Sequence, residues 1–159
     1  MKGGTHLALA GRLRQVFLDV ERVVRRAEQL LAKTRQTGDD GYLDGAALNL
    51  HSFYAGLEAG LEDIARTMDG ALPSGPNWHQ ELLQQMAAEL PNLRPAVIRR
   101  STRDCLEEYR AFRHLVRNVY TFNLRPERLA ELADGANQCF EAVREDLESF
   151  TAFLHALEE

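Results

Sequence analysis

The sequence predicts an all-α protein: a bundle of four long helices plus a short one. Three observations predict it. Apolar residues recur at three- and four-residue steps along most of the chain. Clusters of Gly, Pro, Asn and Asp punctuate that pattern at four places. No run of alternating apolar and polar residues exceeds four, and there is no internal repeat or low-complexity tract. The connections are short, which favours antiparallel neighbours.

Leu13, Val16, Phe17, Val20, Val23, Val24, Ala27, Leu30 and Leu31 form the stripe of one long amphipathic helix over 6–36. TGDDG (37–41) breaks it. A second helix over 43–68 carries Leu50, Phe53, Tyr54, Leu57, Leu61 and Ile64 on its apolar face. DGALPSGPN (69–77) is rich in turn formers, and WHQELLQQMAAEL then reads as the short helix. PNLRP (91–95) interrupts again. Pro95 suits the first turn of the next helix, expected to run to about Thr121, because its missing N–H is not needed there. NLRPE (123–127) is another stop and start, and a last helix runs from Pro126 to near the C-terminus.

The 159 residues fit one domain, 1–159, large enough to bury its own core. No apolar run approaches the about 20 residues of a membrane helix. The N-terminal MKGGTHLALAGRLRQ lacks an h-region with a cleavage site, so no signal peptide is expected. Cys105 and Cys139 make neither a disulfide framework nor a metal-ligand cluster, and read as two buried, reduced thiols of a cytoplasmic protein. His6, His51, His79, His114 and His155 are scattered, with no Glu-x-x-His pair, no glycine-rich phosphate loop and no zinc spacing. No metal or other cofactor is expected.

The net charge of −5 argues against indiscriminate nucleic-acid binding. It is unevenly spread. From Arg94 to Arg128 nine arginines face four acids, so this segment is +5 and the remainder −10. Within it lies FRHLVRNVY (112–120). On a helix of about 100° per residue, with Arg113 at zero, Leu115, Val119, Phe112 and Val116 fall between about 200° and 300°, flanked by Tyr109 and Tyr120. That is the expected buried stripe. Arg110, Arg113, His114, Arg117, Asn118 and Thr121 share the opposite arc, where His114 and Asn118 are neighbours one turn apart. Three arginines on one arc repel each other unless an anion lies against them. That anion is either a set of acids on a neighbouring helix or a phosphate. Glu58, Glu62 and Asp63 are such an acidic cluster, unless they form a solvated face. Trp78-His79 follows a Pro-Gly loop. Trp78 reads as a core anchor and His79 as a helix-start residue; the other reading puts His79 in a cleft or against a partner.

FRHLVRNVYTFNL resembles the central segment of HepT-like proteins of the HEPN superfamily, the toxin halves of HEPN–MNT toxin–antitoxin modules. The family motif is Arg, four residues, His, one residue, Tyr. Here it reads Arg113, HLVR, Asn118, Val119, Tyr120. LHSFYAGLE (50–58), LPSGPNWHQELL (72–83) and RPAVI (94–98) resemble further segments of the group in the same order, and the likeness spans roughly 42–150.

The resemblance implies a HEPN-type antiparallel bundle that pairs as a homodimer, with two motif helices lining one cleft. It implies a cytoplasmic, metal-independent endoribonuclease in which the RNA 2′-hydroxyl attacks the adjacent phosphodiester. Arg113 would stabilise charge on the phosphate oxygens, with Arg110 and Arg117 as further phosphate-binding residues. The implied partners are RNA and an MNT-type nucleotidyltransferase antitoxin, which in some systems places AMP on the motif tyrosine, here Tyr120. The added charge and bulk would repel RNA.

The departure is Asn118, which stands where the motif has its proton-moving histidine. An amide only hydrogen-bonds near neutral pH, and loss of a general acid or base costs about 10²–10⁴ in rate. Three readings stay open. His114, on the same arc, takes over proton transfer with Asn118 orienting it. The subunit is catalytically impaired and binds RNA or nucleotide, or regulates its nucleotidyltransferase partner, without cleaving. Or the bundle is purely structural, with every arginine of the arc consumed by intramolecular acids.

Overall fold

A computed structural model describes the backbone of residues 2–118 and 125–159, with side chains for 4–116 and 125–159. It is helical, with no strand among the described residues. Helix α1 spans Lys2–Thr37, α2 Tyr42–Ile64, α3 Trp78–Met86, α4 Arg100–Asn118 and α5 Pro126–Ala156. No helix among them is long and apolar enough to cross a membrane.

The stripes foreseen on α1 and α2 meet. Leu13, Val20, Val24, Ala27 and Leu31 are buried against Leu50, Phe53, Leu57, Leu61 and Ile64 in one core. Small residues set the spacing: a Cβ on Gly56 would stand 2.9 Å from Val20 Cγ2, so only glycine allows this approach. Helix α5 closes the core with Leu132, Ala136, Phe140, Val143, Leu147 and Phe150. His6 near the start of α1 bonds Glu158 just past α5, while Arg35 near the end of α1 pairs with Asp134 near the start of α5.

Helix α2 does not stop at Ile64 but widens into a π-helical turn, Ala65–Asp69, ended by Gly70 at φ 64°. That turn aims Asp69 at Arg94. Here the structure corrects the sequence. Pro95 does not open a helix, and the short helix ends at Met86 rather than running through MAAEL. Val97 and Ile98 spend their N–H groups on Met86 O, at 2.8 and 3.2 Å, and bury their side chains in the core. Helix α4 therefore begins only at Arg100, where Asp146 of α5 accepts from the preceding Arg99 N at 3.0 Å. Pro126 occupies the first turn of α5, as the sequence suggests.

The cysteines are a second correction. Cys105 on α4 and Cys139 on α5 are joined in a disulfide, with Cα atoms 5.9 Å apart. That separation lies in the range a disulfide spans. Thirty-four residues of sequence hid a pairing that the packing of α4 on α5 creates. The third concerns the stripe of α4. Tyr109 and Phe112 are buried and Val116 packs on the core, but Leu115, at the edge of the arc, is 42% exposed.

Candidate active site

Arg110, Arg113 and His114 of α4 line one cavity of about 470 Å³ with Pro76, Asn77, His79 and Gln80. The second wall is made by the 70–77 loop and the first turn of α3. Gly75 takes φ 98°, a left-handed conformation open to glycine without a Cβ clash. Trp78 N then donates to Gly75 O at 3.3 Å and Glu81 N to Asn77 O at 3.0 Å. The loop thus turns straight into α3 and delivers His79 and Gln80 to the cavity.

Beneath this wall sits a buried carboxylate. Glu58 of α2 is 3% exposed. Its Oε2 is 2.6 Å from His79 Nδ1, and its Oε1 accepts from Arg113 Nη1 at 3.2 Å. A carboxylate only accepts, so the proton on Nδ1 points to Oε2. The 3.4 Å approach of Arg113 Nη1 to the same nitrogen is therefore a contact of two donors bridged by Glu58. The indole of Trp78 stacks on the His79 ring, centroids 3.7 Å apart and planes tilted by 30°. The imidazole is held by a hydrogen bond on one edge and an aromatic face above. Arg113 Nε is buried without an acceptor among the described residues. Tyr54, one turn before Glu58, is buried too. Burial first, and then the negative charge of Glu58, push its phenol above the usual tyrosine range and keep it protonated.

Arg110, Arg113 and His114 are thus brought together. Arg113 pairs with Glu58 and Arg110 with Glu107 of its own helix. The hydrogen bond to Glu107 raises the Arg110 pKa, against a lowering by burial. Arg117 and Asn118 belong to the last turn of α4, but their side chains lie outside the described residues, as does the whole of Tyr120. Of the acidic cluster on α2, Glu58 reaches the arc, whereas Glu62 pairs with Arg66 and Asp63 with Arg12. Other members of the basic segment are consumed locally: Arg94 by Asp69, Arg99 by Asp146 and Glu145, Arg103 by Asp104, Arg128 by Glu131. Much of the positive charge on the described part of the segment is therefore matched by acids. Among the described residues no group of three or more His, Cys, Asp or Glu is placed to hold a metal ion.

A family model described as HepT-like protein matches residues 45–154, which is more than half of the chain. The chain belongs to the HepT-like family of the HEPN superfamily. No curated protein and no solved structure matches it. The HepT-like region holds every described residue of the cavity, and it also holds Glu58. Two of the residues gathered here, Glu58 and His79, are left between two readings by the sequence: an arc partner or a solvated acid, and a cleft residue or a helix start. Glu58 was one of three acids with no means of ranking them, and His79 read more simply as a helix-start residue. The available signal was that each lies in a segment resembling the family, LHSFYAGLE and LPSGPNWHQELL.

Proposed function

We propose that this HepT-like protein is the toxin of a HEPN–MNT toxin–antitoxin pair, a metal-independent endoribonuclease. The observation that carries the reading is Arg113. The motif arginine lies at the wall of a polar cavity, tethered through one nitrogen to a buried carboxylate. A guanidinium so tethered is preorganised, and preorganised charge stabilises a developing phosphorane better than a mobile one. Arg110 and Arg117 add phosphate-binding charge. Asn118 stands where the motif has its proton-handling histidine, with His114 one turn before it, and Tyr120 is the candidate for AMP attachment by the nucleotidyltransferase partner. The same reading takes 1–159 as one domain and an antiparallel bundle, which the His6–Glu158 and Arg35–Asp134 contacts support. It makes the active species a homodimer in which two such cavities form one cleft. It places the protein in the cytoplasm, where the reducing thiol pool acts on the Cys105–Cys139 bridge.

The test is cleavage of a mixed tRNA pool in EDTA by wild type, Arg113→Ala and Asn118→His, each melted in parallel to show that it is folded. Wild type is expected to cut and Arg113→Ala to lose at least about 10²-fold. Asn118 favours a second reading, an impaired subunit that binds RNA or nucleotide, or regulates its partner, without cleaving. Silence from wild type with cutting by Asn118→His selects it.

A further inference from the structure

The motif histidine is replaced by Asn118, yet an imidazole from another helix stands beside the motif arginine. We infer that His79, oriented by Glu58, is the proton-moving group of this active site. The inference rests on the ribonuclease reading above and adds to it a residue outside the arginine motif.

The geometry has three parts. Glu58 Oε2, 2.6 Å away, holds the Nδ1 proton, so the neutral ring carries its lone pair on Nε2. His79 lines the cavity and its side chain is 24% exposed, whereas Glu58 is buried beneath it. The ring is therefore anchored on the protein side and open on the cavity side. Arg113 shares the same carboxylate, so one buried group fixes the phosphate-binding cation and the base relative to each other. A carboxylate that orients an imidazole through Nδ1 and steadies the imidazolium is a recurrent solution for proton transfer. His114 of α4 lines the same cavity and is exposed.

The step balances without a metal or a co-reactant. The RNA O2′ bonds to phosphorus while its proton passes to His79 Nε2. Charge on the non-bridging oxygens is met by Arg113. The P–O5′ bond breaks, and the imidazolium returns the proton to O5′. The products are a 2′,3′-cyclic phosphate and a 5′-hydroxyl, and His79 is again neutral. Among the described residues, the charged or titratable groups that touch the ring or share its cavity are Glu58 of α2 and Arg110, Arg113 and His114 of α4, with Tyr54 of α2 acting on Glu58.

The experiment compares wild type, His79→Ala, His114→Ala and Glu58→Gln on the tRNA pool in EDTA, with thermal melting of each and with free imidazole added across a concentration series. His79→Ala is expected to melt as a folded protein, to lose at least about 10²-fold in cleavage, and to regain part of it with imidazole. Glu58→Gln should lose activity that imidazole does not restore. Full activity in His79→Ala, with loss in His114→Ala, overturns the assignment and leaves the ribonuclease reading intact. So does a folded, inactive His79→Ala that imidazole fails to rescue, since His79 would then only position Arg113. Absence of cleavage by wild type removes the ribonuclease reading, and this assignment with it.

Discussion

Replacing Arg94 should cost the fold far more than any exposed arginine of the same segment. Its side chain is 0% exposed and that of Asp69 is 2%. All five N–H groups are used. Nε and Nη2 donate to the two Asp69 oxygens at 2.6 and 2.8 Å, Nη1 to Ala88 O and Pro95 O at 2.8 and 3.0 Å, and Nη2 to Gln85 O at 3.1 Å. The pair ties the π-helical turn after α2 to the end of α3 and the loop before α4. Arg94→Leu keeps volume but strands a buried carboxylate, which retains the Gln85 amide at 2.8 Å. Removing one partner of a buried ion pair costs about 3–5 kcal/mol. For a chain of this size each kcal/mol moves the midpoint by about 2–4 °C, so Tm should fall by about 6–20 °C. Arg94→Lys should recover little, because an ammonium cannot fork to both Asp69 oxygens while reaching three carbonyls. The double variant Arg94→Leu/Asp69→Leu should be more stable than Arg94→Leu, since it leaves no unpaired charge. Circular dichroism melts and urea titrations measure all three. A single variant within about 0.5 kcal/mol of wild type, the level of a surface change, would refute the reasoning. So would a double variant no better than the single.

Reduction of the Cys105–Cys139 bridge, or the double change to serine, should lower stability by about 4 kcal/mol, from the chain entropy released when such a loop opens. Urea unfolding with and without dithiothreitol tests this, and coincident curves would mean that the bond adds nothing. Two glycine substitutions should differ in sign. Gly11→Ala sits on exposed helix with nothing within 4 Å of the new Cβ and should stabilise by about 0.5–1 kcal/mol. Gly56→Ala meets Val20 at 2.9 Å and should destabilise by about 1–3 kcal/mol from overpacking, less the helix-propensity gain. Equal shifts in the two melts would show that α1 and α2 are not as closely packed as described.

The helices were legible because their cause is local. A stripe such as Leu13, Val20, Val24 and Leu31 follows from periodicity, and TGDDG or DGALPSGPN ends a helix through backbone preferences of the residues themselves. Arg113 was legible for a different reason, the likeness of FRHLVRNVY to a family motif. Periodicity says which face of a helix is apolar, but not which polar groups on other elements the packing brings against it. Three features depended on that second kind of information. Arg94 is only one of nine arginines of a basic segment in the sequence, and the widened turn after α2 carries Asp69 to it. The two cysteines read as separate thiols until α4 and α5 packed with their Cα atoms 5.9 Å apart. Glu58, His79 and Arg113 come from three helices, and the burial of Glu58 is what joins them, because a carboxylate removed from water must find donors. By itself the sequence determined that the chain is helical and which residues make the apolar faces of α1 and α2, and its likeness to the family singled out the motif arginine. Only the tertiary structure decided that this arginine shares a buried carboxylate with a histidine, since that contact is made across the bundle and is encoded in no local pattern.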